Sequence, residues 1–251
     1  MSMERVIADA VREAGLGVPV HYEPETASTN ATALRLAADG APPWTVVVAG
    51  HQTEGRGRLG RSWVSEPGQA LLCSVVLRPE LEPSDAGLVT LLAGVAMAEA
   101  ARVSCGASVR CKWPNDLLVS GGKAGGLLAE SSVADGKLEH VVVGAGVNVR
   151  SAPPGVEGAA SLGGGDPAVL LSAFLWCLRQ RLHPERPDWA AEVVAAHRGI
   201  SATLGRRVRA QTLGGREVEG TAADLDAHGN LIVDTGEGSE TVAFGEIHHL
   251  R

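Results

Sequence analysis

Residues 55–63 read Gly55-Arg56-Gly57-Arg58-Leu59-Gly60-Arg61-Ser62-Trp63, three guanidinium groups set among glycines. Guanidinium cannot be deprotonated in a protein and presents a fixed fork of donors. Three on one short loop repel each other unless a carboxylate or polyphosphate sits between them, so the run reads as a phosphate clamp for a nucleotide. The glycines let the backbone fold closely around such an anion. The same letters satisfy Gly-x-Gly-x-x-Gly, but a dinucleotide site needs those glycines at a direct turn from strand into helix. Here His51 to Glu54 intervene and Arg61 to Gly68 is no helix start, which argues against that site.

A second cluster is Lys112-Trp113-Pro114-Asn115-Asp116, followed after a short apolar run by Gly121-Gly122-Lys123-Ala124-Gly125-Gly126. It is not a Walker loop, because the upstream glycine is missing and Ala124 stands where a hydroxyl would hold magnesium. Composition adds weight: three lysines stand against nineteen arginines, and there are only four asparagines, Asn30, Asn115, Asn148 and Asn230. All three lysines and two of the asparagines fall within 112–148. Residue types this scarce, set beside glycine and tryptophan, point to a chemical requirement.

The chain resembles the biotin protein ligases. That family carries, in order, Ser-Thr-Asn, a Gln before Gly-Arg-Gly-Arg-x-Gly-Arg-x-Trp, Lys-Trp-Pro-Asn-Asp, Gly-Lys-x-x-Gly-x-Leu-x-Glu and Gly-x-Gly-x-Asn. Here these are Ser28-Thr29-Asn30, Gln52 with Gly55 to Trp63, Lys112 to Asp116, Gly122 to Glu130, and Gly144 to Asn148. The match is strong over roughly Val18 to Val149 and looser beyond.

The resemblance implies that Ser28, Thr29 and Asn30 bond the ureido ring of biotin, with Ser28 or Thr29 also a helix N-cap, and that Gln52 and Gly55 lie nearby. Arg56, Gly57 and Arg58 would close over the biotin carboxylate and the ATP phosphates, with Arg61 on the phosphates. Trp63 would pack on the closed loop or the adenine, or else anchor the next strand. Lys123 would stabilise charge on the phosphoryl oxygens during adenylation, beside Gly126, whose lack of a side chain admits the ligand. Asp116 would orient or deprotonate the acceptor lysine, while Lys112, Asn115 and Asn148 would contact ATP. A structural Lys112–Asp116 pair is the alternative for that motif. Magnesium is expected with ATP, but no residue cluster marks a metal site. The implied reaction joins biotin and ATP into biotinyl-adenylate, then passes biotin to a lysine of a biotin carboxyl carrier protein of a carboxylase such as acetyl-CoA carboxylase. A lipoate ligase or octanoyltransferase shares the fold without these motifs, and a non-catalytic biotin sensor would not turn over ATP.

Apolar runs at 46–49, 71–77, 109–111, 117–119, 126–129 and 141–149 predict strands. Helical spacing covers 85–103, 167–182 and about 188–197, with a Gly/Pro loop over 152–167. This is an α+β pattern, in the family a class II synthetase-like mixed sheet backed by helices. Short strands at 208–213, 218–225, 231–233 and 240–244, separated by glycine turns, predict a small barrel; the family has an SH3-like barrel there, contributing to ATP and carrier contacts or simply capping the fold. The expected division is one helix in 1–17, a catalytic domain over 18–200 and the C-terminal domain over 203–251.

Seventeen residues before the catalytic domain are too few for a winged helix, and a net charge of −7 opposes a nucleic-acid surface. A repressor role is therefore not expected. Cys73, Cys105, Cys111 and Cys177 lack paired spacing and read as reduced core thiols. No signal or membrane segment is expected, which predicts a cytoplasmic enzyme, monomer or homodimer.

Overall fold

The computed structural model describes residues 2–212, 215–243 and 245–250. Helix α1 (Met3–Glu13) is capped by Ser2, whose side chain accepts from the Arg5 amide. Strand β1 (Val20–Glu23) is missed by the sequence reading, because its alternation of Val20 and Tyr22 with His21 and Glu23 spans only four residues, none fully buried. Helix α2 (Thr29–Ala38) returns the chain to β2 (Val46–Ala49), which pairs parallel to β1. Then follow β3 (Ala70–Leu77), α3 (Ala86–Cys105), β4 (Arg110–Lys112), β5 (Asp116–Val119), β6 (Gly122–Ala134) and β7 (Lys137–Asn148). Helices α4 (Pro167–Arg181) and α5 (Trp189–Gly199) complete this part.

The strands form one mixed sheet in the order β1-β2-β3-β7-β6-β5-β4. Its alternation assigns each side chain a face. Val46, Val48, Leu71, Cys73, Val75, Leu77, Val143, Ala145 and Val147 enter the main core with α1, α3, α4 and α5. Val47, Val76 and Val142 point the other way and pack beneath Ala33 and Ala37 of α2. The strand expected over 126–129 in fact runs the length of β6, because Gly122 and Lys123 pair with β5 and Glu130 to Ala134 with β7.

Helix α3 is long and apolar enough to cross a membrane by length and composition alone. Twelve of its twenty residues are buried, against the sheet and against α4 and α5, which accounts for its composition as a core helix. Gly106 ends it in the left-handed conformation (φ 66°), returning its amide to the carbonyls of Ala101 and Arg102.

The C-terminal part is a five-stranded antiparallel sheet in the order β11-β10-β9-β8-β12, comprising β8 (Arg207–Thr212), β9 (Glu217–Leu225), β10 (Leu231–Asp234), β11 (Ser239–Val242) and β12 (Gly245–His249). Val208, Ala210, Val218, Ala222, Leu231, Val233, Val242 and Ile247 alternate into its interior. Leu213 and Phe244, expected at strand ends, lie outside the described residues, and β12 was not anticipated. The linker closes the edge of β4, where the Cys111 amide donates to Ile200 O (2.8 Å) and the Ala202 amide donates to Cys111 O (2.7 Å). All four cysteines are free; Cys105 is half-buried and the rest are buried. Burial pushes the Cys73 and Cys111 thiols up to about 12.

His197 of α5 is 1% exposed and burial lowers its imidazole to about 4. The unfolded chain therefore binds a proton that the folded chain excludes, so this stabilisation is present above pH 6.5 and is lost as pH falls toward 4. Denaturant unfolding over that window is expected to show His197→Gln losing less stability than the parent by roughly 3 kcal/mol, from 1.36 kcal/mol per pKa unit. Parallel pH curves for the two proteins would contradict it.

Candidate functional site

The site lies on the α2 face of the sheet, where β7 offers Gly144 and Gly146. A Cβ at 144 would stand 2.0 Å from Asn30 Oδ1, and one at 146 would stand 2.7 Å from the ring of Trp63. Only glycine lets an amide and an indole lie directly on the strand. Asn30 Nδ2 donates to Leu128 O (3.2 Å) and Glu130 Oε2 (2.7 Å), while the Ser74 hydroxyl lies 2.6 Å from Asn30 Oδ1 and 2.8 Å from Thr29 Oγ1. Gln52 Oε1 accepts from the Thr29 amide (2.7 Å) and the Thr29 hydroxyl (3.0 Å). Ser28 occupies the N-cap of α2 but its side chain makes no capping bond, contrary to the dual role expected for it.

The arginine loop forms a narrow hairpin of its own. The Gly57 amide donates to Arg61 O (2.7 Å) and the Trp63 amide to Gly55 O (2.8 Å). Gly55 is required by close approach, since a Cβ there would stand 2.4 Å from Trp63 O. Leu59 turns the tip in the left-handed region (φ 54°) and is exposed. Arg58 ties this hairpin to both halves of the protein: its Nη1 donates to Gly245 O on β12 (3.1 Å) and to Asn115 Oδ1 (3.4 Å). Trp63 packs on Ala49, Ala70 and Leu72. It thus serves as a small core anchor and as a wall of the cleft at once, with its Nε1 buried and unpartnered among the described residues.

Lys112 to Asp116 form the turn between β4 and β5, with a cis peptide between Trp113 and Pro114. The Trp113 amide donates to Thr203 Oγ1 (3.0 Å) and its indole to Gly229 O (2.9 Å), so the turn is held by the C-terminal segment. Asn115 Nδ2 donates to Leu127 O (2.8 Å). Asp116 pairs with Lys123 (Oδ1 to Nζ, 2.6 Å), not with Lys112 as a purely structural reading of the motif would have it. The loop over 152–167 clasps the Lys123 backbone on both sides, its amide donating to Gly158 O (2.7 Å) and its carbonyl accepting from Ala160 (2.8 Å).

Charge here is unbalanced. Burial lowers the Arg58 guanidinium below its usual value, which Asp116 opposes and Arg61 reinforces. Burial likewise lowers Lys112, with Asp116 opposing and Lys123 and Arg61 adding to the effect. Lys123, Arg58 and Lys112 all meet the Asp116 carboxylate, and an anion entering the cleft would relieve the burial felt by Arg58 and Lys112.

One cleft brings together Ser28, Thr29, Asn30, Gln52, Arg56, Gly57, Arg58 and Arg61 with Trp63, Lys112, Asn115, Asp116, Lys123 and Gly126. Gly55 lines the outer side of the loop instead. Asn148, expected at the nucleotide, does not line the cleft: it is 2% exposed and its amide donates to Ala160 O (2.9 Å) beneath the 152–167 loop. Ser74, Glu130 and Ile247 are the site neighbours that sequence reasoning missed. Ser74 carried a signal, being the one hydroxyl inside the apolar run 70–77. Among the described residues, no group of three or more His, Cys, Asp or Glu is placed to hold a metal.

A polar pocket beside a cation cluster on a mixed sheet suits a small ligand with an anionic end. Residues 23–148 match the Biotin/lipoate A/B protein ligase family and residues 203–250 match the Biotin protein ligase C terminal domain. The chain belongs to the biotin/lipoate protein ligase family. It is 35% identical to the biotin--[acetyl-CoA-carboxylase] ligase of Mycobacterium tuberculosis, over 99% of this chain and 96% of that one. It is 31% identical to the bifunctional ligase/repressor BirA of Bacillus subtilis, over 92% of this chain and 74% of that one. The biotin protein ligase of Aquifex aeolicus, solved with biotin and ATP, superposes with a TM-score of 0.77 at 26% identity, covering 92% of this chain and 99% of that one.

Because Arg58 bonds the loop to β12, Arg58→Ala is expected to speed amide exchange across 55–63 severalfold, read by hydrogen–deuterium exchange mass spectrometry. Unchanged exchange would mean that the Arg58 contact does not limit the opening of the loop.

Proposed function

We infer that the cleft activates biotin with ATP, forming biotinyl-5'-AMP and pyrophosphate, and passes the biotinyl group to a lysine of a biotin carboxyl carrier protein. The protein is an ATP-dependent biotin protein ligase. The observation that carries the residue assignment is the juxtaposition of Lys123, Arg58 and Lys112 around Asp116 with the Ser28–Gln52 pocket.

The roles follow from the chemistry each position can perform. When the biotin carboxylate attacks the α-phosphate, negative charge grows on the phosphoryl oxygens, and Lys123 and Arg58 are the fixed cations that meet it without reorganising. Arg56 and Arg61 hold the flanking phosphates, and Lys112 and Asn115 the nucleotide. Ser28, Thr29 and Gln52 bond the ureido ring, whose polar groups would cost affinity if left unpaired. Gly57 and Gly126 give room to the ligand, and Trp63 covers it. In the second step Asp116 orients the incoming lysine ammonium and draws off its proton, the amine attacks the acyl carbon, and AMP leaves. The arginine loop, seated over the cleft, excludes water that would otherwise hydrolyse the mixed anhydride. Magnesium would come with ATP; among the described residues no group of three or more His, Cys, Asp or Glu is placed to hold it.

In this reading residues 18–200 are the catalytic domain, preceded by one helix in 1–17. Residues 203–251 form an SH3-like barrel that contributes Gly245 and Ile247 to the site's rim. Free thiols fit a cytoplasmic enzyme.

The test is pyrophosphate release and mass-spectrometric detection of biotinyl-adenylate with biotin, ATP and magnesium, with lipoate in parallel. Lys123→Ala is expected to slow adenylate formation by roughly 10²-fold or more with its circular dichroism unchanged. Activity at the parent rate would remove Lys123 from its role, and turnover of lipoate would refute the substrate assignment.

A further inference from the structure

The residue that matches the third position of the Ser-Thr-Asn motif borders the cleft, but its side chain is engaged within the protein. Both Nδ2 hydrogens of Asn30 are spent, on Leu128 O and Glu130 Oε2, and its Oδ1 faces the Ser74 hydroxyl at 2.6 Å. Asn30 is 4% exposed and Ser74 0%. A hydroxyl has one proton and a carboxamide oxygen can only accept, so the Ser74 proton points at Asn30. The lone pairs of Ser74 are then left for Thr29 Oγ1, 2.8 Å away. That sets the direction of the chain, because the Thr29 proton is shared between Ser74 and Gln52 Oε1, which also accepts the Thr29 amide.

Ser74, Gly144 and Leu128 sit side by side on three adjacent strands, Ser74 opposite Gly144 and Gly144 opposite Leu128. Asn30 is laid across this row, and the Gly144 position leaves the room it needs. A serine in a strand whose neighbours Cys73 and Val75 are core residues is therefore a polar bridge from sheet to helix α2, not an accident of composition.

We propose that Ser74, acting through Asn30 and Glu130, is the positioning residue that fixes the start of α2 and the polarity of the Thr29–Gln52 pair that receives the biotin ring. This rests on the biotin-ligase reading above. Without the Ser74 hydroxyl, Asn30 Oδ1 becomes a buried unpaired acceptor and the Thr29 hydroxyl loses one of its two partners, a cost felt where biotin docks and not where ATP docks.

The experiment measures biotin binding by calorimetry without ATP, and KM for biotin, KM for ATP and kcat in pyrophosphate release, for the parent, Ser74→Ala, Glu130→Ala and Glu130→Gln. Ser74→Ala and Glu130→Ala are expected to weaken biotin binding and raise its KM roughly tenfold, with KM for ATP unchanged. Glu130→Gln keeps an acceptor oxygen for Asn30 and restores biotin KM to near the parent value. If the unfolding midpoint falls while biotin binding stays at the parent value, or if the two KM values rise together, Ser74 is a fold residue only and the proposal fails. Should Ser74→Ala not fold, the Glu130 pair decides: equal biotin KM values for Glu130→Ala and Glu130→Gln overturn the proposal. A parent protein that releases no pyrophosphate with biotin overturns the ligase reading and this proposal with it, a result distinct from an active parent with indifferent variants.

Discussion

One face of β7 carries no side chains at Gly144 and Gly146, and the site is arranged around that bare strip. Every strand must alternate its side chains between two faces, so a strand whose other face supplies Val143, Ala145 and Val147 to the main core has these two positions left to face α2. Leaving them as glycine weakens the strand and would be a poor choice for stability alone. The return is closeness: Asn30 and Trp63 reach the sheet backbone itself. The floor of the cleft is therefore set by backbone, the least deformable part of a sheet, and pocket residues inherit its precision. Ser74 and Leu128 flank Gly144 because β3 and β6 pair on either side of β7 in register.

A second constraint is electrostatic and is met by position. Lys112, Lys123 and Arg58 converge from a turn, a strand and the arginine hairpin on the carboxylate of Asp116, and burial already disfavours the charge on Arg58 and Lys112. Such a set is stable only because each member is anchored elsewhere, Lys123 by the clasping loop and Arg58 by a carbonyl and an amide oxygen. Neutral acceptors hold a cation in place without cancelling it. The charge stays available to a carboxylate and a phosphate that must be brought together against their own repulsion.

The residues of the cleft were largely legible in the chain because their chemistry is local: arginines among glycines, and lysine beside glycine, announce anion binding wherever the fold puts them. Strands β2, β3 and β7 were legible because both faces are apolar. What escaped has a common cause. Strand β1 has no buried residue, β12 is polar, and the identity of the Asp116 partner depends on β6 bringing Lys123 alongside β5, a pairing that spacing does not encode. Asn148 was misplaced for the same reason, since the 152–167 loop that covers it is visible only once folded. Ser74 was hidden in the opposite way, by a strand so apolar that its one hydroxyl passed as filler.

The C-terminal sheet gains a role from these contacts that its own composition does not disclose. It donates no charged group to the cleft among the described residues, yet it accepts from Arg58 at Gly245 and from the Trp113 indole at Gly229, and Thr203 receives the Trp113 amide. All three contacts fall on two of the segments that carry the cations, the arginine hairpin and the Lys112–Asp116 turn. Two of the acceptors are backbone carbonyls, which demand a shape and not a side chain. A small β unit can therefore vary widely in sequence and still hold both cationic segments at fixed distance, provided its strand ends stay where β12 and the turn at Gly229 put them.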